Sequence, residues 1–221
     1  MSRAISKWES RLTILLIAGA MTIPLAPAEA ADKKASAVLE TLAVKGRAPK
    51  TGYDRSSFGG WADLDNDSCH TRDEILMRDL SAVTFDPEEK CQVQTGTLID
   101  PYSGTRIDFL QGRGTSNLVQ IDHVVAVSDA WQKGAFKWGS ETKVAFYNDS
   151  LNLLAVQGRL NSQKGDGDAA TWLPPLKSYR CTYVARQIAV KAKYAIWVTT
   201  AEKAAMKSIL AKCPGQLIPR S

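Results

Sequence analysis

Two short apolar segments do most to limit the folds open to this chain, because each is bounded by polar residues that chemistry can use. The first, 118–121, closes on Asp122 and His123, and the second, 153–156, is preceded by Asn152. Asn161 and Lys164 follow the second segment. Short apolar runs with polar boundaries are typical of buried strands. We therefore expect two strands that bring a small set of polar side chains together.

The polar residues at these strand ends predict a hydrolytic site. His123 is one of two histidines in 221 residues, and histidine is the side chain best suited to act as a base near neutral pH. Asp122 and Asn161 offer oxygen ligands of the kind that Mg²⁺ prefers. Asp122 and His123 would diverge along a regular strand, but where the strand ends they can flank one phosphorus atom. A base and a metal together suffice to hydrolyse a phosphodiester bond.

The first thirty residues predict a secretory signal peptide (1–30). Three basic residues precede an apolar stretch, 12–25, and Ala28-Glu29-Ala30 has the form of a cleavage site. The alternative, an uncleaved membrane anchor, is disfavoured because Pro24 and Pro27 interrupt the apolar run short of a spanning length. We expect cleavage after Ala30 and a secreted or periplasmic protein without stable membrane association.

Charge and cysteine content agree with an exported single domain. Loss of three basic and two acidic residues with the signal lowers the formal net charge from +5 to +4, which suits a polyanionic substrate without being diagnostic. An even number of cysteines in an exported chain favours two disulfides. Three pairings are open, and we prefer Cys69–Cys91 and Cys181–Cys213 because each closes a local segment. A zinc site is the alternative, but close C-x-x-C spacing is missing.

The patterns along the chain predict an α+β fold. Helices are expected at 35–43, from about 72 to 80 after a capping box of Thr71 and Glu74, and after a second capping box of Thr199 and Glu202. Segments 92–99 and 105–110 predict a hairpin, and 118–125 and 152–156 two further strands. Residues 131–146 predict a helical insertion, and the C-terminal third predicts helices.

The stretch from Tyr53 to Cys213 resembles the secreted HNH endonuclease family related to the C-terminal domain of GmrSD-type restriction enzymes. Segments 119–126 and 152–156 carry the resemblance, and 152–164 also resembles the N-x8-N-x-x-K arrangement of the HNH domain of RNA-guided nucleases. The resemblance implies a ββα-metal core, to which the patterns above add an N-terminal hairpin region and C-terminal helices. It further implies His123 as general base, Asp122 and Asn161 as metal ligands, and Asn152 as a loop-bracing residue.

The residue patterns give a signal peptide (1–30) and an N-terminal helix and linker (31–52), and the resemblance adds an HNH nuclease domain (53–221). Position 161 holds asparagine where many HNH motifs end in histidine. An amide oxygen still binds Mg²⁺ or Mn²⁺, whereas zinc and nickel favour imidazole. We therefore expect a hard divalent cation as the cofactor.

An acidic loop predicts a second, structural cation site. Asp63, Asp65, Asp67 and Glu74 follow the spacing of an EF-hand loop and make a candidate calcium loop, although Ser68 replaces the expected glycine. The alternative is an acidic turn in which Glu74 merely closes the capping box of the next helix. His70 lies in this loop and is interpreted as a solvated residue.

Several basic side chains are candidates for binding substrate. Lys164 is interpreted as a phosphate contact, with a solvated lysine as the alternative. Arg180 and Arg186, together with Lys191 and Lys193, could form a phosphate-binding face, since backbone contacts dominate affinity for nucleic acids. The alternative is that these basic residues form the solvent-exposed face of an amphipathic helix and bind no substrate. The tryptophans are interpreted as core residues rather than base-stacking platforms.

The sequence thus predicts a secreted, metal-dependent endonuclease that cleaves DNA, with RNA as a second candidate substrate, at low sequence specificity. Two alternatives remain open. One is a non-catalytic exported protein that binds nucleic acid or another polyanion on an HNH scaffold. The other is a nuclease restricted to modified or structured DNA.

Overall fold

A computed structural model describes Met1 and residues 33–219. The predicted signal cleavage after Ala30 lies outside the described residues. The described strands form two antiparallel sheets, one of three strands and one of two. Helices and strands both contribute, so the fold is α+β, as predicted.

The three-stranded sheet has the order β1 (Ser81–Phe85), β2 (Val93–Ile99) and β3 (Arg106–Leu110). The hairpin of β2 and β3 confirms the prediction, with Thr97 opposite Asp108. Strand β1 was not predicted. It is an edge strand that buries no residue fully, and its pairing with β2 is irregular, so its sequence lacks the alternation that a half-buried strand requires.

The two-stranded sheet and the helix behind it form a ββα unit. Strand β4 (Val119–His123) pairs with β5 (Leu153–Gln157), which places Asp122 opposite Leu154 and His123 opposite Leu153. A helix, Gly158–Lys164, begins directly after β5. A Cβ at Gly158 would lie 2.0 Å from the carbonyl oxygen of Asn117, so only glycine allows this tight corner. The corner fixes Asn161 and Lys164 next to the end of β4.

The helices are α1 (Ala35–Thr41), α2 (Thr71–Asp79), α3 (Val127–Gln132), α4 (Ser140–Tyr147), α5 (Gly158–Lys164), α6 (Arg180–Lys193) and α7 (Thr200–Leu210). The capping box of Thr199 and Glu202 is present. The one predicted at Thr71 and Glu74 was wrong, because α2 begins one residue earlier. His70 is its N-cap, and the Thr71 hydroxyl donates to the carbonyl of Ala62 at 2.7 Å.

Tertiary packing joins the predicted N-terminal helix to the rest of the described chain. Val38 and Leu39 of α1 pack in one apolar cluster with Val184 of α6 and Met206 of α7. Both expected disulfides form, Cys69–Cys91 and Cys181–Cys213, with Cα–Cα distances of 5.3 and 6.5 Å. Within residues 33–219 no helix has the length and apolar character needed to cross a lipid bilayer.

A buried ionic cluster joins α3, α6, α7 and the segments around them. Lys133 Nζ lies 2.7 Å from Asp129, 2.8 Å from Asp168 and 2.6 Å from Glu202, and Lys191 Nζ lies 3.0 Å from Glu202. Three positive and three negative side chains take part, so the cluster is neutral: Arg47, Asp129, Lys133, Asp168, Lys191 and Glu202. Lys191 is therefore buried, which corrects its expected place on a phosphate-binding face.

Candidate active site

A cavity of about 250 Å³ lies at the end of β4, between the start of α3 and the end of α5. Asp122 and His123 line it from β4, and Asn161 lines it from α5. Three of the predicted site residues therefore meet in one place. The described cavity also has polar lining residues that the sequence interpretation did not single out: Arg55, Gln120, Ser128, Ser162 and Asp166.

His123 is held in one orientation as a neutral ring. It is 3% exposed, its Nε2 lies 2.8 Å from the carbonyl oxygen of Tyr147, and the indole of Trp61 stacks on it with ring centroids 5.7 Å apart. A carbonyl only accepts hydrogen bonds, so Nε2 carries the proton and Nδ1 is left with a lone pair. Burial first, and then the charge of Arg55, lower the pKa of His123 to about 3. The ring is therefore neutral near pH 7, with the lone pair of Nδ1 unprotonated.

Asp122 is buried on the other side of β4 and held by two donors. Lys164 Nζ lies 2.8 Å from its Oδ1, and the Tyr102 hydroxyl donates to its Oδ2 at 2.5 Å. Burial first, and then the charge of Asp122, raise the pKa of Tyr102 well above its usual range, so the hydroxyl keeps its proton. Each carboxylate oxygen has two lone pairs. Asp122 therefore retains capacity to bind a cation from the cavity.

Asn161 completes the oxygen donors of the cavity. Its Nδ2 donates to Oε1 of Gln120 at 2.9 Å, and its amide oxygen has no hydrogen bond from any described residue. One carboxylate and one free amide oxygen at a solvent-accessible cavity are a donor set that suits a hard divalent cation. The residues present therefore fit a magnesium-like ion, which would keep several water ligands there.

Asn152 lies behind the site rather than in the cavity. It is 0% exposed; its Oδ1 accepts from Val125 N at 2.8 Å, and its Nδ2 donates to Val125 O at 3.3 Å. Its own carbonyl accepts from Val124 N at 2.7 Å. These three bonds hold the turn between β4 and α3, and through it the end of β4 that carries His123.

Lys164 is placed differently from the expected phosphate contact. Its side chain is 0% exposed, and its Nζ donates to Asp122 Oδ1 and to the carbonyl of His123, both at 2.8 Å. It is not among the residues that line the cavity. The ammonium is thus engaged by Asp122 and the β4 backbone, and it orients the carboxylate instead of facing solvent.

The arginines expected to bind substrate also lie elsewhere. Arg180 Nε donates to the carbonyl of Pro174 at 2.7 Å, and Arg186 Nη1 donates to the carbonyls of Leu151 and Leu153 at 3.4 and 3.3 Å. Neither lines the cavity. These three bonds tie α6 to neighbouring backbone, so the structure gives these side chains a packing role.

Arg55 is the cavity residue that sequence reasoning missed most clearly. It belongs to a 3-10 helix, Arg55–Phe58, that follows the linker, and no motif marks it. Its guanidinium lies over the ring of Tyr147, 5.3 Å from the centroid, with one long hydrogen bond of 3.4 Å to the Tyr147 hydroxyl. Among the described residues that line the cavity it is the one cationic side chain, and it has no carboxylate partner there.

The acidic loop lies apart from this cavity. Carboxylate oxygens of Asp63, Asp65 and Asp67 lie within 4.8 Å of one another. Ser68, at the position expected to be glycine, has a φ of +75°, and its N–H donates to Asp63 Oδ2 at 3.0 Å. Burial first, and then the charges of the three aspartates, raise the pKa of Glu74. The three aspartates therefore lie near one another, whereas Glu74 does not belong to their group among the described residues.

Comparison with known proteins adds a family to this geometry. Residues 70–209 match the family model described as GmrSD restriction endonucleases, C-terminal domain. An "uncharacterized secreted protein" of Arthroderma benhamiae is 35% identical over 202 residues, which cover 90% of this chain and 95% of the relative. No solved structure matches this chain.

Proposed function

Because the chain belongs to the family of the C-terminal domain of GmrSD restriction endonucleases, a nuclease-type domain, we propose that it is a metal-dependent endonuclease. Its substrate is DNA, with RNA as a second candidate, cleaved at low sequence specificity. The observation that carries the proposal is the neutral His123, with Nε2 bonded to a carbonyl and Nδ1 free, in one cavity with Asp122 and Asn161.

His123 acts as the general base in this proposal. Its Nδ1 takes a proton from the attacking water, and the Tyr147 carbonyl stabilises the imidazolium that forms, because it accepts a hydrogen bond from Nε2. A divalent metal held by Asp122 and Asn161 would neutralise charge that develops on the phosphate oxygens. The oxygen donors favour Mg²⁺ or Mn²⁺ over zinc.

Arg55 supplies the positive side chain that a phosphodiester needs in the cavity. Lys164 is paired with Asp122, so it serves as a positioning residue that fixes the carboxylate. Arg55 has no ion-pair partner among the described residues, and its planar fork can bind two phosphate oxygens. Asn152 positions His123 through the backbone of the β4–α3 turn.

We also propose that the protein is exported and that the acidic loop binds calcium. Two disulfides and a relative named as a secreted protein support export, together with the predicted signal peptide.

For the acidic loop, the nearness of Asp63, Asp65 and Asp67 and the positive φ of Ser68 suit a Ca²⁺ ion. The ion would stabilise the start of α2 and take no part in hydrolysis.

The direct test is cleavage of plasmid DNA by the purified mature protein with Mg²⁺ or Mn²⁺ and with EDTA. We expect nicking and linearisation with metal, none with EDTA, and none with His123→Ala, whose circular dichroism should match the wild type. Asn161→Ala should be rescued in part by excess metal. Plasmid that stays intact with every metal would overturn the proposal.

Two further assays separate the alternatives. A gel shift without cleavage, weakening steeply as salt rises, would identify a non-catalytic nucleic-acid-binding protein. Cleavage of modified but not of plain DNA would identify a restricted nuclease. Parallel reactions on RNA decide the breadth of the substrate class.

A further inference from the structure

We propose that a groove beside the active-site cavity binds the sugar–phosphate backbone of the same nucleic-acid strand, next to the bond that is cut. The inference rests on the proposed function and deepens it, because it assigns a binding site for the flanking part of the substrate. The groove runs between β3, the start of α5 and the segment before β4, with a volume of about 580 Å³.

The groove is continuous with the cavity. Gln120 and Ser162 line both, so a chain that leaves the cavity enters the groove directly. The cavity, at about 250 Å³, lies below the roughly 300–1,000 Å³ of pockets that enclose a drug-sized ligand. It therefore suits the reacting linkage alone, and the neighbouring nucleotides need another surface.

Arg159 gives the groove its positive charge. It is exposed in the first turn of α5, and its guanidinium has no hydrogen-bond or ion-pair partner among the described residues. Arg106, on the opposite wall, is paired with Asp108 at 2.9 Å, but both side chains are largely exposed, at 65% and 73%. Exposed pairs of this kind contribute little, so a phosphate can compete for Arg106.

The remaining lining suits a nucleotide better than a simple anion. Gln157 lines the groove, and its Oε1 is a buried acceptor without a hydrogen-bond partner in the described chain. Once the Gln157 side chain turns toward the groove, a base amino group or a sugar hydroxyl would satisfy this acceptor, whereas phosphate offers only acceptors. Leu118, 51% exposed, adds an apolar wall against which a sugar or a base can pack. An acidic peptide is the competing occupant, and continuity with the cavity favours the nucleic acid.

The test compares Arg159→Ala with Lys212→Ala, which removes an exposed positive charge outside the groove. Binding is measured by fluorescence anisotropy on labelled 20-mer DNA in a His123→Ala background, over a range of salt. Loss of one phosphate contact should lower the salt slope by about 0.7–0.9 and raise Kd severalfold. Arg159→Lys should recover part of the affinity, and Arg159→Glu should weaken binding more than alanine does.

Cleavage by the active protein separates this inference from the proposed function. Bis(4-nitrophenyl) phosphate is a diester too small to reach the groove. The Arg159→Ala substitution should therefore lower kcat/KM on the 20-mer at least fivefold more than it lowers kcat/KM on this small diester. Wild-type protein that cleaves neither substrate would overturn the proposed function, while the binding series still decides the groove. Arg159→Ala that matches Lys212→Ala in Kd and salt slope would overturn the groove. So would an equal loss on both cleavage substrates.

Discussion

Replacing Lys164 by methionine tests whether this lysine holds Asp122 or contacts substrate. Lys164 Nζ lies 2.8 Å from Asp122 Oδ1 with side-chain exposures of 0% and 4%, so the ion pair is buried. Methionine keeps the length of the chain but leaves the carboxylate with Tyr102 as its hydrogen-bond donor. Removing one partner of a buried pair costs about 3–5 kcal/mol. At about 1.4 kcal/mol per factor of ten, the folding equilibrium constant should fall roughly 10²- to 5×10³-fold.

Denaturation by urea, followed by circular dichroism with intact disulfides, measures this loss. Lys212→Met, at an exposed position, is the matched control and should stay within about 0.5 kcal/mol of the wild type. The double variant Asp122→Asn/Lys164→Met removes the unpaired charge, so it should be about 1–3 kcal/mol more stable than Lys164→Met alone. If Lys164→Met has the same free energy of unfolding as the control and loses only DNA cleavage, the lysine contacts phosphate and does not hold Asp122.

Three further predictions concern other parts of the molecule. Arg55→Ala should lower kcat/KM on bis(4-nitrophenyl) phosphate about 10- to 100-fold, as a lost charged phosphate contact implies, with Arg55→Lys in between; wild-type values for Arg55→Ala would remove this residue from the site. Addition of 10 mM Ca²⁺ should raise Tm by about 3–10 °C if Kd is of the order of 10⁻⁴–10⁻³ M, as in extracellular modules. Asp65→Asn should abolish that rise, and an equal rise in the variant or with Mg²⁺ would count against a calcium site. Acid should weaken the ionic cluster: burial alone would raise the pKa of Asp168, but Lys133 and Arg47 outweigh it and lower the pKa to about 2. The stability from this pair is present above the ordinary pKa of 3.8 and is lost as pH falls through about 2. This contribution to the free energy of unfolding amounts to about 2 kcal/mol. Between pH 5 and pH 2 the Asp168→Asn variant should therefore lose about that much less stability than the wild type, as measured by urea titration at each pH.

Local patterns were enough to predict much of the ββα unit. The apolar runs around Asp122 and Asn152 predicted β4 and β5, since burial of short strands leaves a continuous apolar signal. The capping box at Thr199 and Glu202 was readable because both partners lie three residues apart. The same pattern at Thr71 gave a wrong prediction, because the Thr71 hydroxyl bonds the carbonyl of Ala62, which precedes the helix by nine positions, and not the backbone of its own helix.

Long-range pairing escaped prediction wherever charge was involved. Lys133, Lys164 and Lys191 are indistinguishable in sequence from solvated lysines, since lysine usually lies at the surface. Apart from Asp129, four positions before Lys133, their partners lie far along the chain; Glu202, for example, follows Lys133 by 69 positions. Arg55 is the opposite case, because its charge stays unpaired. No motif marks this arginine after the linker, and the packing of its 3-10 helix against α4 brings it to the cavity.

The sequence by itself thus determined the α+β class, the disulfides as preferred pairs and the polar residues that meet at the end of β4, because apolar patterning, cysteine spacing and motif spacing can be read along the chain. Only the tertiary structure decided which charges are free. It pairs Lys164 with Asp122 and Lys191 with Glu202, and leaves Arg55 facing the cavity and Arg159 facing the groove. The physical reason is that a buried charge requires a partner, and the fold alone determines which side chains are buried and which partners come within reach.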